Sequence, residues 1–308
     1  MLTLFSIPKA FKGHINVIQR NAIQSWKRLH PEIEIILFGT DEGTAEVARE
    51  FGLRHEPEVA RNEFGTYLVN SVFAKAQSLA RHETVCYVNC DIILLPDFCR
   101  ALARVQAARP EFLMVGQRTD VDIHDPWPFE RATWERELRD FAQRYGKMRP
   151  PNWIDYFAFS RGLYGADIPP FAIGRTCWDD WLIWKVLDSK KPVVDVSPVV
   201  LAVHQNHNYN HHPQGEAGVW KGVEAGKNAQ LAGGWNHLRT SAHATEVFQS
   251  EGLQTNTSRH WAEFKRRVES VGRFFLYDVG QPVWFSALNL TRPLRTALGL
   301  RTEPRPRP

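Results

Sequence analysis

Three short polar clusters in this sequence contain the residue types from which metal sites and acid–base sites are built. They are N-C-D at 89–91, W-D-D-W at 178–181 and H-Q-N-H at 204–207. Carboxylate and amide oxygens bind hard divalent cations, imidazoles bind metals or carry protons, and a carboxylate can remove a proton from a hydroxyl group. Each cluster also has a plain explanation, as a turn cap, a helix N-cap or a solvated loop. Their joint occurrence in one chain favours a functional site.

The first cluster interrupts an apolar run, T-V-C-Y-V-N-C-D-I-I-L-L at 84–95. The run predicts one buried parallel strand, because it is long, apolar and rich in β-branched residues. Asn89 and Asp91 are two residues apart, so in an extended chain their side chains face the same side. Such a pair suits Mg²⁺ or Mn²⁺, which prefer oxygen donors and are often shared with substrate phosphates. The motif alone leaves a metal site and a capped turn as equal alternatives.

The chain around these clusters alternates between strand patterns and amphipathic helix patterns. Strands are predicted at 2–7, 32–39, near 54, 84–95, 111–117 and 153–160, with a final strand pair at 192–203, and helices at 15–28, from 44, from 67, 97–108, 125–145, from 178 and 261–276. This order predicts an α/β fold, with a mixed, mainly parallel sheet and helices on both faces. The ligand site of such a sheet lies beyond the carboxyl ends of its strands. The polar residues at those ends are Ser6, Lys9, Asp41, Glu42, Asn89, Asp91, Gln117 and Arg118.

Composition excludes several classes of protein. The 308 residues are 43% hydrophobic and 23% charged, which is ordinary for a globular chain. No apolar run approaches the roughly 18 residues of a membrane span, and the first residues read as a strand rather than a signal peptide. No glycine-rich dinucleotide or P-loop motif is present. The four cysteines lack disulfide or zinc spacing, which predicts reduced thiols and a cytoplasmic protein.

The C-terminal part of the chain differs in charge from the rest. Residues 259–308 contain ten Arg/Lys and four Asp/Glu, a net charge of +6, which leaves −2 for the remainder of the +4 chain. We therefore expect a sheet domain at 1–245 and a basic, aromatic, partly helical extension at 246–308. Contact of this extension with the inner face of a membrane is one hypothesis; packing on the sheet domain or on a second subunit is the alternative. Its basic and aromatic residues include Arg266, Arg267, Arg273, Phe274, Phe275, Trp284 and Phe285.

Four motifs together resemble a known family. F-S-I-P-K at 5–9, R-N-E-F-G-T at 61–66, N-C-D at 89–91 and H-Q-N-H-x-Y-x-H at 204–211 resemble the nucleotide-diphospho-sugar transferases, which are glycosyltransferases of the GT-A (Rossmann-like) fold. The resemblance covers roughly residues 1–245 and is closest to a bacterial group within that superfamily.

The resemblance implies a divalent metal site and a catalytic base. In the family a D-x-D motif holds Mn²⁺ or Mg²⁺ against the diphosphate of the donor, and Asp91 matches its second Asp. Asn89 replaces the first Asp and is expected to meet the ribose or the water shell of the metal. A late histidine completes the site, a place that His204 or His207 fills. Asp179, with Asp180 as the alternative, matches the base of inverting members.

The resemblance also implies which residues surround the substrates. The expected donor-binding residues are Ser6, Ile7, Pro8, Lys9, Asp41, Asn62, Gly65, Thr66, Asn70, Asn89 and Arg118. Lys9 and Arg118 would offset the charge of the leaving diphosphate. The residues expected around the acceptor or the sugar are Trp153, Asp155, Tyr156 and Trp178, because aromatic rings stack on sugar faces.

The function implied is metal-dependent transfer of a sugar from a nucleoside diphosphate to a hydroxyl group, with inversion. The acceptor is a glycan, a lipid-linked molecule or a small molecule, and no nucleic acid is involved. A sugar nucleotidyltransferase is the first alternative, disfavoured because P-K-A-F-K-G at 8–13 is not the glycine-rich basic loop expected after the first strand. A non-catalytic module that binds sugar or nucleotide is the second, favoured by Asn89 in the D-x-D position.

Overall fold

A computed structural model describes residues 1–207 and 215–273 of the chain. Two compact units divide at Arg259. The strands of the first unit are β1 Thr3–Ser6, β2 Glu34–Phe38, β3 Arg54–Glu56, β4 Thr84–Val88, β5 Ile92–Leu94, β6 Leu113–Val115, β7 Arg118–Val121, β8 Lys147–Met148, β9 Tyr156–Ser160, β10 Val193–Asp195, β11 Ala202–Gln205, β12 Glu246–Gln249 and β13 Gly252–Thr255. Its α-helices are α1 Gly13–Lys27, α2 Thr44–Phe51, α3 Val69–Leu79, α4 Pro96–Ala108, α5 Trp134–Tyr145, α6 Trp178–Asp188, α7 Gly215–Lys221 and α8 Val223–Leu231.

The main sheet contains nine strands in the order β13-β12-β10-β6-β9-β4-β1-β2-β3. Strand β1 pairs in parallel with both β2 and β4. Strand β9 runs antiparallel to both of its neighbours, and β13 is antiparallel to β12. The predicted α/β class, with a mixed, mainly parallel sheet, is confirmed.

Helices cover both faces of this sheet, because side chains along a strand alternate between the faces. On β1, Leu4 packs into the cluster that contains Ala22, Ile23 and Trp26 of α1, whereas Phe5 packs into the cluster on the opposite face. The core residues that α3 and α6 contribute to that second face are Val69, Val72, Phe73, Ala76, Trp181, Leu182, Ile183 and Val186. Each fully buried side chain of this size contributes about 1.5–3 kcal/mol.

A second sheet contains four strands in the order β5-β11-β7-β8. The expected single strand at 84–95 is wrong, because the chain leaves the main sheet after β4 and enters the second sheet at β5. The turn between them is fixed by the Asn89 backbone N–H, which donates to the Asp155 carbonyl at 2.9 Å, and by the Ile92 N–H, which donates to the Asn89 carbonyl at 3.1 Å. Both halves are buried on all sides, so the apolar pattern continues through the turn and conceals it.

Four strands were not predicted from the sequence: β7, β8, β12 and β13. Strand β12 pairs in parallel with β10 and joins β13 in a hairpin. The expected domain boundary at residue 245 therefore falls before the last two strands of the main sheet, and the first unit continues to Arg259.

Within the second unit the structure describes one helix, α9 Arg259–Arg273. The helix predicted at 261–276 extends beyond Arg273 into residues that lie outside the described part of the chain. The aromatic residues Phe274, Phe275, Trp284 and Phe285 of the expected extension also lie outside it. None of the helices in the described ranges is both long and apolar enough to cross a bilayer.

The packing around Gly116, beneath the carboxyl ends of the strands, leads to a prediction about stability. A methyl group at this position would overlap the hydroxyl of Tyr156, a fully buried residue. Gly116→Ala is therefore expected to lower the free energy of unfolding by about 1–3 kcal/mol, measured by urea denaturation.

Two further variants control this measurement. Gly226→Ala adds the same methyl group at an open position within α8 and should be neutral or stabilising by up to about 1 kcal/mol. The Tyr156 hydroxyl has no hydrogen-bond partner among the described residues, so Tyr156→Phe should cost little and should restore stability when combined with Gly116→Ala. An unfolding midpoint unaffected by Gly116→Ala would contradict the packing described here.

Candidate functional site

A cleft of about 1110 Å³ opens at the carboxyl ends of the central parallel strands. Its floor follows β1 and β4 directly, with Ile7, Pro8 and Lys9 after the first strand and the 89–91 turn after the second. The first turn of α6 and the segment around α7 and α8 form the other walls. The cleft therefore lies where parallel α/β sheets usually bind their ligands.

One carboxylate and two imidazoles meet at one side of this cleft. Asp91, His204 and His207 each place a potential ligand atom within 4.8 Å of the others. The His207 Nε2 atom lies 3.1 Å from Asp91 Oδ2. Asp91 is 8% exposed, and its Oδ1 is buried without a hydrogen-bond partner in the parts of the chain that the structure describes. A buried anionic oxygen without a partner is costly, so this oxygen is a candidate ligand for a cation.

Strand pairing explains why these distant residues meet. Asp91 ends the turn that leads into β5, and β5 pairs antiparallel with β11, so that His204 lies opposite Ile92. His207 follows two residues after β11, and the side-chain amide of Gln205 donates to the Asp91 carbonyl at 3.1 Å. The second sheet therefore carries the histidines to the turn that holds Asp91.

Asp120 supports this cluster and was missed in the sequence. It lies opposite His204 in the β7–β11 pair, and its Oδ1 lies 3.1 Å from His204 Nδ1. Arg118 Nε also donates to Asp120 Oδ1, at 2.8 Å. A carboxylate on one ring nitrogen orients a histidine so that the other nitrogen faces the metal. The sequence feature that could have indicated Asp120 is R-T-D at 118–120, which follows a predicted strand. Nothing in this segment shows that it pairs with β11.

Lys9 places a positive charge beside the same cluster. Its Nζ lies 3.1 Å from His207 Nε2 and 3.9 Å from Asp91 Oδ2. Burial lowers the pKa of Lys9 despite the neighbouring carboxylates. Burial alone would raise the pKa of Asp91, but the hydrogen bond with His207 and the charges of His204 and Lys9 hold this pKa below its usual value. Asp91 is therefore an anion in the folded protein.

Asn89 is fixed within the cleft floor by a chain of hydrogen bonds. The Tyr87 hydroxyl donates to Asn89 Oδ1 at 2.8 Å, and the Asn89 amide donates to Asp155 Oδ1 at 2.5 Å. Arg118 Nη1 donates to the other oxygen of Asp155 at 2.6 Å. Asn89, Asp155 and Arg118 all line the cleft, but Asp155 and Arg118 satisfy each other as a buried ion pair.

Asp179 and Asp180 lie in the first turn of α6, on the cleft wall. Cys177, just before the helix, has a left-handed backbone with φ of 79°, a strained conformation that often occurs at functional sites. Burial, only partly offset by backbone hydrogen bonds, raises the pKa of Asp179 to about 7. Burial and the charge of Asp179 raise the pKa of Asp180 well above its usual value, and Asp180 Oδ1 has no described hydrogen-bond partner. Carboxylates with raised pKa values are candidates for a catalytic base.

Most of the residues expected around the donor line the cleft. They are Ile7, Pro8, Lys9, Asp41, Gly65, Thr66, Asn89 and Arg118. Arg61 and Tyr67 also line this side, although neither was predicted as a site residue. The Thr40 N–H donates to the Tyr67 hydroxyl at 2.6 Å, and the Arg61 guanidinium lies 3.8 Å from the centre of the Tyr67 ring. Arg61 is the first residue of the R-N-E-F-G-T motif, and this motif could have indicated its place in the site.

Three other residues expected at the donor do not line the cleft. Ser6 is fully buried beneath it, where its hydroxyl donates to the Val88 carbonyl at 2.6 Å and ties β1 to β4. Asn62 accepts from the backbone N–H groups of Phe64 and Thr66 at 3.0 and 2.9 Å and so shapes the loop. Asn70 lies in the first turn of α3, outside the lining. Direct donor contact is therefore corrected to a supporting position for all three.

On the acceptor side, Tyr156 is also corrected. It lies on β9 with 0% exposure and packs edge-on against Phe98, on the face of the sheet away from α6. A fully buried ring cannot stack on a sugar. Trp178 lines the cleft but packs edge-on against Tyr87, with their ring centres 5.3 Å apart. Trp153 lines it as well, with the guanidiniums of Arg118 and Arg149 4.6 and 4.1 Å from its ring centre.

The wall formed by α8 is tied to the donor side by residues that the sequence did not single out. Glu224 accepts from Arg175 Nη2 and from the Asn62 amide, both at 2.7 Å. Asn228 accepts from the Ala172 N–H at 2.8 Å and donates to the Ala172 carbonyl at 3.0 Å. These bonds fix α8 against the segment that leads into α6, so the cleft has a defined wall opposite Asp91.

Comparison with known proteins finds similarity to solved structures. No family model matches the chain, and no curated protein matches it. Among solved structures, S. aureus TarS 1–349 in complex with UDP-GlcNAc has a TM-score of 0.46 and 11% identity, covering 68% of this chain and 60% of that one. M. tuberculosis glucosyl-3-phosphoglycerate synthase has a TM-score of 0.47 and 14% identity, covering 83% and 86%. GalNAc-T7 with UDP, GalNAc and Mn²⁺ has a TM-score of 0.45 and 13% identity, covering 76% and 48%.

These solved structures resemble this chain over part of its fold at 11–14% identity. The chain spans less than two thirds of the TarS and GalNAc-T7 chains.

Proposed function

We propose that this protein is a metal-dependent glycosyltransferase, which moves a sugar from a nucleoside diphosphate to a hydroxyl group of an acceptor. The supporting observation is that one cleft contains both a candidate metal-binding cluster and a candidate catalytic base. The Asp91, His204 and His207 cluster lies on one side of it, and Asp179 with its raised pKa lies on another wall. Metal-dependent transfer with inversion uses both, since charge develops on the leaving diphosphate while the acceptor hydroxyl loses a proton.

The three residues of the cluster fit a divalent cation. Ligands that bind at neighbouring positions of an octahedral ion, each about 2.1 Å away, are roughly 3 Å apart, as are His207 Nε2 and Asp91 Oδ2. The set combines carboxylate oxygen with two imidazole nitrogens, which favours Mn²⁺ over Mg²⁺, since Mg²⁺ binds oxygen almost alone. When bound, such a cation supplies Lewis-acid stabilisation of the leaving diphosphate.

The residues of the chain have separate tasks in the transfer. Asp179 accepts the proton of the acceptor hydroxyl as its oxygen attacks the anomeric carbon, with inversion. The bond from that carbon to the diphosphate breaks, and its electron pair stays on the phosphate oxygen. The Lys9 ammonium, beside Asp91, faces the charge that develops there. Arg61 and Tyr67 border the region in which we place the nucleotide.

A panel of nucleotide sugars, assayed with Mn²⁺ and a range of hydroxyl acceptors, tests the proposal. Release of nucleoside diphosphate together with a new glycoside supports it. Release of pyrophosphate from a nucleoside triphosphate would indicate a nucleotidyltransferase instead. A non-catalytic module is the second candidate, favoured by Asn89, whose amide is used within the protein; nucleotide binding without any turnover would support it. We also place the protein in the cytoplasm, in peripheral contact with a membrane.

Asp120 gives a prediction that does not depend on finding the acceptor. Asp120→Asn removes the charge that orients His204 and is expected to weaken Mn²⁺ binding about tenfold to a hundredfold. The measurement is a titration of Mn²⁺ by electron paramagnetic resonance. Asp140→Asn, an exposed change on α5, is the control and should bind Mn²⁺ as the wild type does. Equal affinity of both variants would remove Asp120 from the site.

A further inference from the structure

Helix α9 presents an apolar stripe to solvent. Trp261, Phe264 and Val268 are 58%, 54% and 55% exposed. They are separated by three and four residues, so they lie on one side of the helix. The rings of Trp261 and Phe264 are stacked, with centres 5.3 Å apart and planes 17° from parallel. Together these side chains form a continuous apolar surface, unlike the single exposed apolar residues that are normal on proteins.

Basic residues flank this stripe. Lys265 and Arg267 lie on either side of it by helical position, and the Lys265 ammonium lies 5.4 Å from the centre of the Trp261 ring. On the polar side, Arg266 Nε pairs with Glu263 Oε2 at 3.2 Å. The second acidic residue of the helix, Glu269, is exposed four positions after Lys265. Within α9 five Arg/Lys stand against these two Glu, and the whole segment 259–308 carries ten Arg/Lys against four Asp/Glu. The stripe is therefore bordered by residues whose net charge is positive.

We propose that α9 lies flat on an anionic lipid surface, with Trp261, Phe264 and Val268 inserted at the level of the head groups. A helix with an aromatic stripe and basic flanks binds such a surface because apolar burial and charge attraction act together. A second protein chain would cover the stripe without needing the basic border, and a nucleic acid would use the basic residues without the stripe. The proposal is independent of the catalytic activity.

Sedimentation of the full-length protein with lipid vesicles tests the proposal. We expect binding to vesicles that mix phosphatidylglycerol with phosphatidylcholine, weak binding to phosphatidylcholine alone, and a loss of binding as salt is raised. Trp261→Ala with Phe264→Ala should weaken binding roughly tenfold or more, and Lys265→Gln with Arg267→Gln should weaken it by roughly tenfold.

Matched variants on α5 and β8 serve as controls. Tyr145→Ala removes an aromatic side chain that is 63% exposed, and Arg136→Gln with Lys147→Gln removes two exposed charges; both should bind vesicles as the wild type does. Equal loss in these controls would mean that binding is non-specific and would overturn the proposal. Vesicle binding that persists without Trp261 and Phe264 would also overturn it, as would a change of the aromatic variant from dimer to monomer in light scattering with no change in vesicle binding.

Discussion

Asp91→Asn is expected to lower metal-dependent sugar transfer roughly a thousandfold or more. Asp91 is the anionic member of the cluster with His204 and His207, and an amide in its place supplies one neutral oxygen instead of a carboxylate. The developing charge on the leaving diphosphate then loses its main electrostatic support. The measurement is the turnover number with saturating nucleotide sugar over a titration of Mn²⁺.

The fold of the Asp91→Asn variant must be checked separately. Asp91 has a lowered pKa, because burial is outweighed by its bond with His207 and the nearby charges. A carboxylate of this kind stabilises the protein above its unfolded-state pKa of about 3.9, and this contribution is lost as the pH falls towards the folded pKa. The variant should therefore be somewhat less stable at neutral pH yet folded. Asp140→Asn, an exposed change on α5, is the activity control, and full activity of Asp91→Asn would remove Asp91 from the metal site.

Asp179→Asn has the second largest expected effect, a loss of about a hundredfold to ten-thousandfold in turnover. Donor affinity should hardly change, because Asp179 acts on the acceptor proton. Asp180→Asn, in the same helical turn, is the matched control and should lose much less. If the two results are reversed, the base is Asp180. If neither variant loses turnover, the reaction does not use a base on α6.

The pH dependence gives a second readout of Asp179. A base must be ionised, and burial raises the pKa of Asp179 to about 7, so wild-type turnover should rise with pH up to about 7 and then level off. The folded protein holds this proton more tightly than the unfolded chain, in which the pKa is about 3.9. Ionisation of Asp179 therefore costs stability, which falls as the pH rises from about 4 to about 7. Asp179→Asn should remove that cost and be at least as stable as the wild type above this range.

The convergence of Asp91, His204 and His207 could be anticipated from the sequence. Each residue follows or ends a strand pattern, and the carboxyl ends of parallel strands share one edge of a sheet. The structure places all three at the same side of the cleft. Most of the donor-side residues lie along the same edge for the same reason, since they directly follow β1, β2 and β4.

Other parts of the site depend on pairings that no local pattern encodes. Asp120 meets His204 only because β7 pairs with β11 across a separation of more than eighty residues. The 84–95 run was read as one strand because a turn between two buried strands leaves the apolar pattern intact. Tyr156 was expected at the acceptor because aromatic rings stack on sugar faces. Its strand, β9, is buried on both faces, so alternation does not show which of its residues face the cleft. The arrangement of α8 depends on the side chains of Glu224 and Asn228, which look like ordinary helix residues.

Titration of Mn²⁺ in the presence and absence of UDP, followed by electron paramagnetic resonance, tests the central claim most directly. The account predicts one tight Mn²⁺ per chain, bound more strongly when UDP is present and lost in Asp91→Asn, His204→Ala and His207→Ala. Mn²⁺ binding that is the same in all three variants, or nucleotide binding that ignores the ion, would contradict it.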